Sequence, residues 1–159
     1  MKEQDVEYLR MALAEAKAAG ERGEVPVGAV LVSAEDDLLA LSGNRILEIR
    51  DPTAHAEMLA IKEGARRIGN ERLVGTTLYV TLEPCGMCAG AVSLARVGRL
   101  VYAAPDPKGG AVEHGPRFFA LDTCHHRPVI ERGWGAEEAG TLLRDFFRAR
   151  RVKAGESSR

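Results

Sequence analysis

The sequence lacks long hydrophobic runs, and it has only three cysteines. Apolar stretches such as 38–40 fall far short of the roughly 20 residues that a membrane-spanning helix needs. The first residues contain no apolar signal core, so we do not expect export. Three is an odd number of cysteines, and two of them have C-x-x-C spacing. This pattern argues against a disulfide framework and favours a metal site in the reducing cytoplasm.

The composition is that of an ordinary globular protein. Of 159 residues, 45% are apolar and 28% are charged, which predicts one domain, 1–153, followed by a frayed tail at 154–159. The net charge of −1 does not indicate nucleic-acid binding. However, the segment 144–153 groups several cations around two aromatic residues. Such a cluster is either a solvated helix face or a binding surface, and charge alone leaves both open.

Hydrophobic periodicity predicts an α/β protein in which helices alternate with strands after an initial hairpin. The predicted elements are a helix at 5–19, a hairpin of strands 27–32 and 38–41, a helix that starts near 51–53, a strand at 76–82, a helix ending near 96, strands at 100–104 and 128–131, and a helix at 136–153. This order predicts a mixed sheet covered by helices.

Two short motifs supply the chemistry: H-A-E at 55–57 and P-C-G-M-C at 84–88. Cys85 and Cys88 are three residues apart, so at the start of a helix both sulfurs lie on one side. His55 is a third ligand of the kind that zinc prefers. Three protein ligands leave the fourth position of a tetrahedral zinc ion open, as in catalytic rather than structural sites.

Glu57 is two residues from His55, a poor spacing for binding the same ion from one helix. It is better suited to moving protons beside the metal, because zinc lowers the pKa of a bound water to about 7. Alone, a C-x-x-C pair is often half of a structural zinc site, and His-x-Glu is usually surface chemistry. Together, each opening a predicted helix, the two motifs favour a catalytic zinc site, and they resemble the H-x-E and P-C-x-x-C pattern of the zinc deaminases.

Longer strings around these motifs resemble the bacterial tRNA-specific adenosine deaminases, which convert the anticodon wobble adenosine to inosine. The strings are EVPVGAV at 24–30, NR at 44–45, DPTAHAE at 51–57, TLYVTLEPCGMCAGA at 77–91, DPKGG at 106–110 and DFFRARR at 145–151. The two zinc motifs are shared across the deaminase superfamily. The intervening strings and the F-F-R-x-R-R segment are more specific to the tRNA enzymes.

The resemblance implies a cytidine deaminase-like fold with a five-stranded mixed sheet sandwiched between helices in three α/β/α layers. It implies a homodimer with substrate pockets near the subunit interface, in the cytoplasm that the cysteine pattern already favours. One Zn²⁺ per subunit would be bound by His55, Cys85 and Cys88, and Glu57 would be the proton shuttle. The enzyme would hydrolyse adenosine in RNA to inosine and ammonia, with a tRNA anticodon stem-loop as its partner.

The resemblance also implies a set of substrate contacts. Asn44 would hydrogen-bond the flipped nucleoside, the 106–110 loop would face the substrate, and the last helix would stack bases and hold phosphates. Phe147 would face the core instead. The implied substrate-binding residues are Val25, Pro26, Ala29, Asn44, Glu83 and Pro84 (through their backbone), Asp106, Lys108, Phe146, Arg148, Arg150 and Arg151. From the residues alone, the alternatives are a turn at Asn44 and at 106–110, the start of a core strand at 25–29, a strand end at 83–84 and a solvated face of the last helix.

The segment 111–127 departs from the family, which commonly has a Gly-Ser-Leu stretch there. It contains Cys124, His125 and His126, which suggest either a second metal site or a buried cysteine with loop or RNA-side histidines. Two other functions stay open: deamination of a free purine or nucleoside such as guanine, and a non-catalytic, zinc-stabilised RNA-binding module. The second of these would not need Glu57.

Overall fold

A computed structural model describes residues 1–157 and contains five strands and four α-helices. In chain order the elements are α1 (Glu3–Glu21), β1 (Gly28–Val32), β2 (Leu38–Gly43), α2 (Ala56–Ile68), β3 (Thr77–Leu82), α3 (Gly86–Leu94), β4 (Arg99–Ala104), a 3-10 turn (Phe118–Ala120), β5 (Val129–Arg132) and α4 (Ala136–Ser157). Within these residues, none of the helices combines the length and the apolar character that crossing a membrane requires.

The strands form one mixed sheet in the order β2-β1-β3-β4-β5. Strand β1 is antiparallel to both β2 and β3, whereas β3, β4 and β5 are parallel. Because parallel strands share one carboxyl edge, the loops after β3 and β4 leave the sheet side by side. This edge of the sheet is where the second zinc motif begins.

Helices cover both faces of the sheet, because side chains alternate between two apolar clusters along each strand. Val30 and Tyr79 pack with α1 and α4 on one face. Leu31 and Leu78 pack with α2 and α3 on the other. The predicted three-layer α/β/α arrangement with a five-stranded mixed sheet is therefore confirmed.

Several element boundaries differ from the predicted ones by a few residues, and three of these differences are informative. Helix α1 passes through Gly20 and ends at Glu21, so this glycine does not stop it. Helix α2 begins at Ala56, after a turn over 51–53 in which Asp51 accepts hydrogen bonds from Thr53. Helix α4 continues to Ser157, beyond the predicted end at 153. The rest of the predicted tail, 158–159, lies outside the described residues.

A buried ionic cluster ties the N-terminal helix to the sheet. Asp5 is fully buried and accepts hydrogen bonds from Tyr79 Oη at 2.7 Å and from both terminal nitrogens of Arg99, at 2.7 and 2.8 Å. Arg99 also donates to Glu131 on β5. The hydrogen bonds from Arg99 hold the pKa of Asp5 well below its ordinary value, although burial opposes this shift.

Replacing Asp5 with alanine is expected to lower the free energy of unfolding by about 3–5 kcal/mol, because Arg99 loses a buried partner. The folded-state pKa of Asp5 is depressed, so its contribution is complete above the unfolded value of about 3.9 and is lost as the pH falls toward the folded value. Urea unfolding at pH 7 and pH 3 measures both effects. If the Asp5→Ala variant lost the same free energy of unfolding at pH 7 and at pH 3, this account would be contradicted.

Candidate active site

Two helix N-termini bring the three candidate metal ligands together. His55 is the N-cap of α2, Cys85 is the N-cap of α3, and Cys88 lies in the first turn of α3. The Nδ1 atom of His55 lies 3.6 Å from each of the two sulfurs. The three ligand atoms all lie within 4.8 Å of one another. Each motif thus starts a helix, as the sequence predicts.

The spacing of these atoms fits a zinc ion. Zn–S bonds of about 2.3 Å and Zn–N bonds of about 2.0–2.1 Å, set at the tetrahedral angle, separate sulfur from nitrogen by about 3.6 Å. The observed sulfur–nitrogen distances have this value. One imidazole and two cysteines form a donor set typical of zinc, and the group fits one ion per chain.

The site favours a thiolate. Hydrogen bonds from Cys88 and His55 lower the pKa of Cys85 to about 4, against the opposing effect of burial. Both cysteines also lie at the positive end of the α3 dipole. A preformed thiolate is the form of cysteine that binds a metal cation.

Glu57 lies in the first turn of α2, beside the ligands but separate from them. Its side chain is buried, with 4% exposure, and it lines the cavity next to His55 and Cys85. Burial raises the pKa of Glu57 above that of an ordinary carboxyl group. A buried carboxyl beside the ligand group is placed to take up a proton and to pass it on.

A cavity of about 210 Å³ opens onto the ligand group. Ligand pockets for drug-sized molecules span about 300–1,000 Å³, so this cavity suits one small ring system. Its lining residues are Val25, Val27, Asn44, Ile46, His55, Glu57, Leu82, Glu83, Cys85, Asp106 and Gly109.

Sequence reasoning identified part of this lining. Val25 and Asn44 are in it, but Pro26, Ala29 and Pro84 are not among its lining residues. Ala29 points into the core cluster beside α2, because it belongs to the buried strand β1. The missed residues are Val27, Ile46 and Leu82, whereas Gly109 belongs to the 106–110 loop expected to face the substrate. The position of Leu82 at the end of β3 is a signal that could have identified it.

Asn44 also supports the first zinc motif. Its Oδ1 accepts a hydrogen bond from the backbone N–H of Ala56 at 2.7 Å, and its backbone oxygen accepts one from Arg22. The bond to Ala56 fixes the N-terminus of α2 between His55 and Glu57. With Oδ1 engaged, the Nδ2 donor is the group that this side chain can offer to a substrate.

Glu83 lines the cavity, but its carboxylate is engaged in hydrogen bonds within the protein. Its side chain is fully buried and accepts hydrogen bonds from the loop that follows β4. Burial favours the neutral acid, but these backbone donors and His114 hold the pKa of Glu83 below its ordinary value. Only the backbone of this residue is left for the predicted substrate contact.

A second cavity, of about 710 Å³, continues the first one toward α4, and we call it the outer groove. The two cavities share Val25, Leu82 and Asp106. The outer groove is lined by Val25, Leu82, Pro105, Asp106, Lys108, Leu143, Arg144, Phe147, Arg148 and Arg151. This lining contains four cations and one carboxylate, so the groove is suited to an anionic chain.

The face of α4 that lines the outer groove differs from the predicted substrate-binding face. Phe147 is 41% exposed and lines the outer groove, so the expectation that it faces the core is wrong. Phe146 and Arg150 lie outside this lining and contact each other, with the guanidinium 5.1 Å from the ring centroid. Residues 144, 147, 148 and 151 share one face because a helix has 3.6 residues per turn. Arg144 and Phe147 lie four residues before Arg148 and Arg151, but Phe146 and Arg150 have the same spacing, so helical spacing alone does not select this face.

The atypical segment 111–127 packs as a structural loop. Cys124 is buried, its thiol contacts Ser93, and His126 donates to the backbone oxygen of Val97. Over residues 1–157, the ligand group around His55 is the sole cluster with metal-binding spacing. The alternative of a second metal site here is therefore not supported, whereas the expected buried cysteine is confirmed.

Known proteins resemble this chain over most of its length. Residues 2–104 match the family described as the cytidine and deoxycytidylate deaminase zinc-binding region. The tRNA-specific adenosine deaminase of Agrobacterium fabrum is 54% identical, over 91% of this chain and 95% of the relative. The enzyme of the same name from Bacillus subtilis is 45% identical, over 94% and 92%.

Solved structures agree with the sequence comparison. A structure from work on A-to-I editing by tRNA:A34 deaminases is 53% identical, with a TM-score of 0.85 over 87% of this chain and 99% of the other. The guanine deaminase of Bacillus subtilis is 28% identical, with a TM-score of 0.63 over 96% and 95%. The similarity is thus greater to the tRNA-editing structure than to this free-base deaminase.

Proposed function

Because the chain belongs to the tRNA-specific adenosine deaminases of the cytidine and deoxycytidylate deaminase zinc-binding family, we propose that it deaminates the wobble adenosine of a tRNA anticodon. The products are inosine and ammonia. The observation that favours RNA over a free base is the continuity of the small cavity with the cation-lined outer groove.

The reaction needs a nucleophilic water, a proton carrier and an oriented ring. Zinc, when bound by His55, Cys85 and Cys88, supplies Lewis-acid activation that brings the pKa of water to about 7. Glu57 takes a proton from the attacking water and donates protons to the ring nitrogen and to the departing ammonia. Its burial next to the ligands holds this carboxyl at the reacting atoms.

The shape of the cavities dictates how RNA is bound. The cavity of about 210 Å³ beside the zinc ligands, which we call the inner cavity, accepts one base. The adenosine must therefore leave its stack and enter alone. The neighbouring nucleotides then lie in the outer groove, where Arg148, Arg151 and Lys108 face phosphates and Phe147 offers a stacking surface. A free base would leave this groove unused.

Asn44 is expected to have two separable roles. Asn44→Ala removes both the bond to Ala56 and the substrate donor, and we expect kcat/KM to fall about 100-fold with weaker zinc retention. Asn44→Asp keeps the acceptor for Ala56 and should retain zinc, yet lose about tenfold in kcat/KM because the Nδ2 donor is gone. Parent-like kcat/KM in Asn44→Asp would exclude the substrate contact.

The outer groove is expected to carry the electrostatic part of RNA binding. Arg148→Ala or Arg151→Ala should weaken stem-loop binding and reduce the slope of log K against log salt by about 1 each. Phe147→Ala should cost about 1–3 kcal/mol of binding through lost stacking, and Phe146→Ala, the matched control, much less. Titrations at several salt concentrations measure all four variants. Equal losses of stem-loop affinity in Phe147→Ala and Phe146→Ala would contradict the assignment of Phe147 as the stacking residue.

The site specificity of the reaction is tested by the position of inosine. A stem-loop with adenosine at the wobble position should be converted, whereas the same loop with its only adenosine one position away should not. Sequencing of reverse-transcribed product distinguishes the two, because inosine pairs with cytosine. Equal conversion of both loops would overturn the wobble assignment.

We also propose that the enzyme is a cytoplasmic homodimer. Met87 and Leu94 lie seven residues apart on α3 and expose apolar side chains, and Leu94 is 80% exposed. Since α3 carries two of the candidate zinc ligands, a second subunit packed against Met87 and Leu94 would lie near the active site. All three cysteines are free, as a reducing compartment requires. Light scattering gives the mass of the particle in solution.

A further inference from the structure

The carboxylate of Glu83 is surrounded by hydrogen-bond donors from one loop. Its Oε1 accepts from the backbone N–H of Asp106 at 3.0 Å. Its Oε2 accepts from the backbone N–H groups of Val112, Glu113 and His114 at 3.1, 3.0 and 3.1 Å. The two ends of the 106–114 loop are therefore tied to the same buried side chain.

The loop is shaped to close on this carboxylate. A Cβ atom at Gly110 would lie 2.4 Å from Glu83 Oε2 and 2.6 Å from the backbone oxygen of Asp106. Gly115 adopts a positive φ of 56°, and a Cβ there would lie 2.6 Å from the backbone oxygen of Gly110. Only glycine fits at these two positions without a shift of backbone or of the buried carboxylate.

His114 adds a side-chain donor to these backbone groups. Its Nδ1 lies 2.8 Å from Glu83 Oε1, and its backbone N–H binds Glu83 Oε2, so this residue holds both carboxylate oxygens. His114 belongs to the atypical segment that the proposed reaction does not otherwise use. Its ring is one-third exposed, whereas the Glu83 side chain is fully buried.

The same loop forms one wall of both cavities. Asp106 and Gly109 line the inner cavity, and Asp106 and Lys108 line the outer groove. The Asp106 carboxylate accepts from the N–H groups of Lys108 and Gly109, so it stiffens the turn between them. A shift at either anchored end of the loop therefore moves groups that face the substrate.

We propose that Glu83 and His114 form a latch that positions the 106–114 loop against the bound RNA. Both are positioning residues: they act through Asp106, Lys108 and Gly109 and not on the reacting atoms. This inference rests on the proposed function for its substrate. The candidate zinc ligands and Glu57 lie outside the 106–114 loop, so loosening the latch raises KM more than it lowers kcat.

The test is steady-state kinetics on the wobble stem-loop with graded variants. His114→Ala removes the Nδ1 donor and should raise KM about tenfold, whereas His114→Asn, whose amide nitrogen can replace Nδ1, should recover most of that loss. Glu83→Gln places an amide donor against the N–H of Asp106 or of 112–114, and should raise KM about 10- to 100-fold. Glu63→Gln, on α2 and paired with Arg66, is the matched control.

Hydrogen exchange gives a readout that does not depend on turnover. The amides of 112–114 should exchange at least tenfold faster in Glu83→Gln than in the parent, with zinc content unchanged. A KM within twofold of the parent for both His114→Ala and Glu83→Gln, or unchanged exchange at 112–114, would overturn the latch. If the parent formed no inosine, the proposed function would be refuted. The exchange measurement would still show whether Glu83 anchors the 106–114 loop. If Glu83→Gln does not fold, His114→Ala and His114→Asn decide it.

Discussion

Glu57→Gln is expected to lower kcat on the wobble stem-loop by about 10⁴-fold, at the upper end of general acid–base effects. The reason is that one carboxyl both takes the proton of the attacking water and returns protons to the ring and to ammonia. Glutamine has nearly the same volume, so the inner cavity keeps its shape. Zinc content and stem-loop affinity should therefore stay within about twofold of the parent, because the change removes a transition-state interaction.

The matched control is Glu63→Gln on the same helix, which pairs with Arg66 and takes no part in the site. Its kcat should equal that of the parent. The non-catalytic alternative, a zinc-stabilised RNA-binding module, predicts no turnover in the parent and no effect of Glu57→Gln on any measured property. Turnover of Glu57→Gln within tenfold of an active parent would exclude Glu57 as the proton carrier.

Cys88→Ser is expected to have the second large effect, a loss of both zinc and activity. Serine is a poor zinc ligand, so zinc should fall from about one ion per chain to less than about one tenth. Because the free energy of metal binding to a folded ligand set also stabilises the folded state, thermal stability of the purified protein should fall with loss of the metal. Atomic emission measures the zinc and calorimetry measures the stability, so the result does not depend on the activity assay alone.

Cys124→Ser is the matched control for this change. Cys124 is also buried, but its thiol contacts Ser93 and the backbone oxygen of His126, and a serine hydroxyl can replace it in the second contact. This variant should keep one zinc per chain and parent-like activity. Zinc loss in Cys124→Ser, or zinc retention in Cys88→Ser, would show that the ligand set is wrong.

The local signals in the sequence predict the fold well. The run 76–82 is rich in β-branched and aromatic residues and forms the central strand β3, since strand preference and burial agree there. The two motifs open α2 and α3 because His55 and Cys85 each precede a helix-forming stretch. Each of these features depends on neighbours in the chain, which a sequence shows directly.

Features that depend on distant residues were not predictable in the same way. The bonds of Glu83 join positions 23 to 31 residues apart, and no local pattern reports them. The hydrogen bond between Asn44 and Ala56 depends on the meeting of the end of β2 with the start of α2. The choice between Phe146 and Phe147 depends on which face of α4 meets the sheet, and adjacent aromatic residues give no basis for it.

The central claim is that the substrate is an adenine ring in RNA and not a free base. Ammonia release from the wobble stem-loop, measured in parallel with free guanine, adenosine and cytidine at equal concentrations, tests it most directly. We predict release from the stem-loop at a rate at least about 100-fold above each free compound, because only RNA fills the outer groove. Faster release from guanine than from the stem-loop would contradict the account.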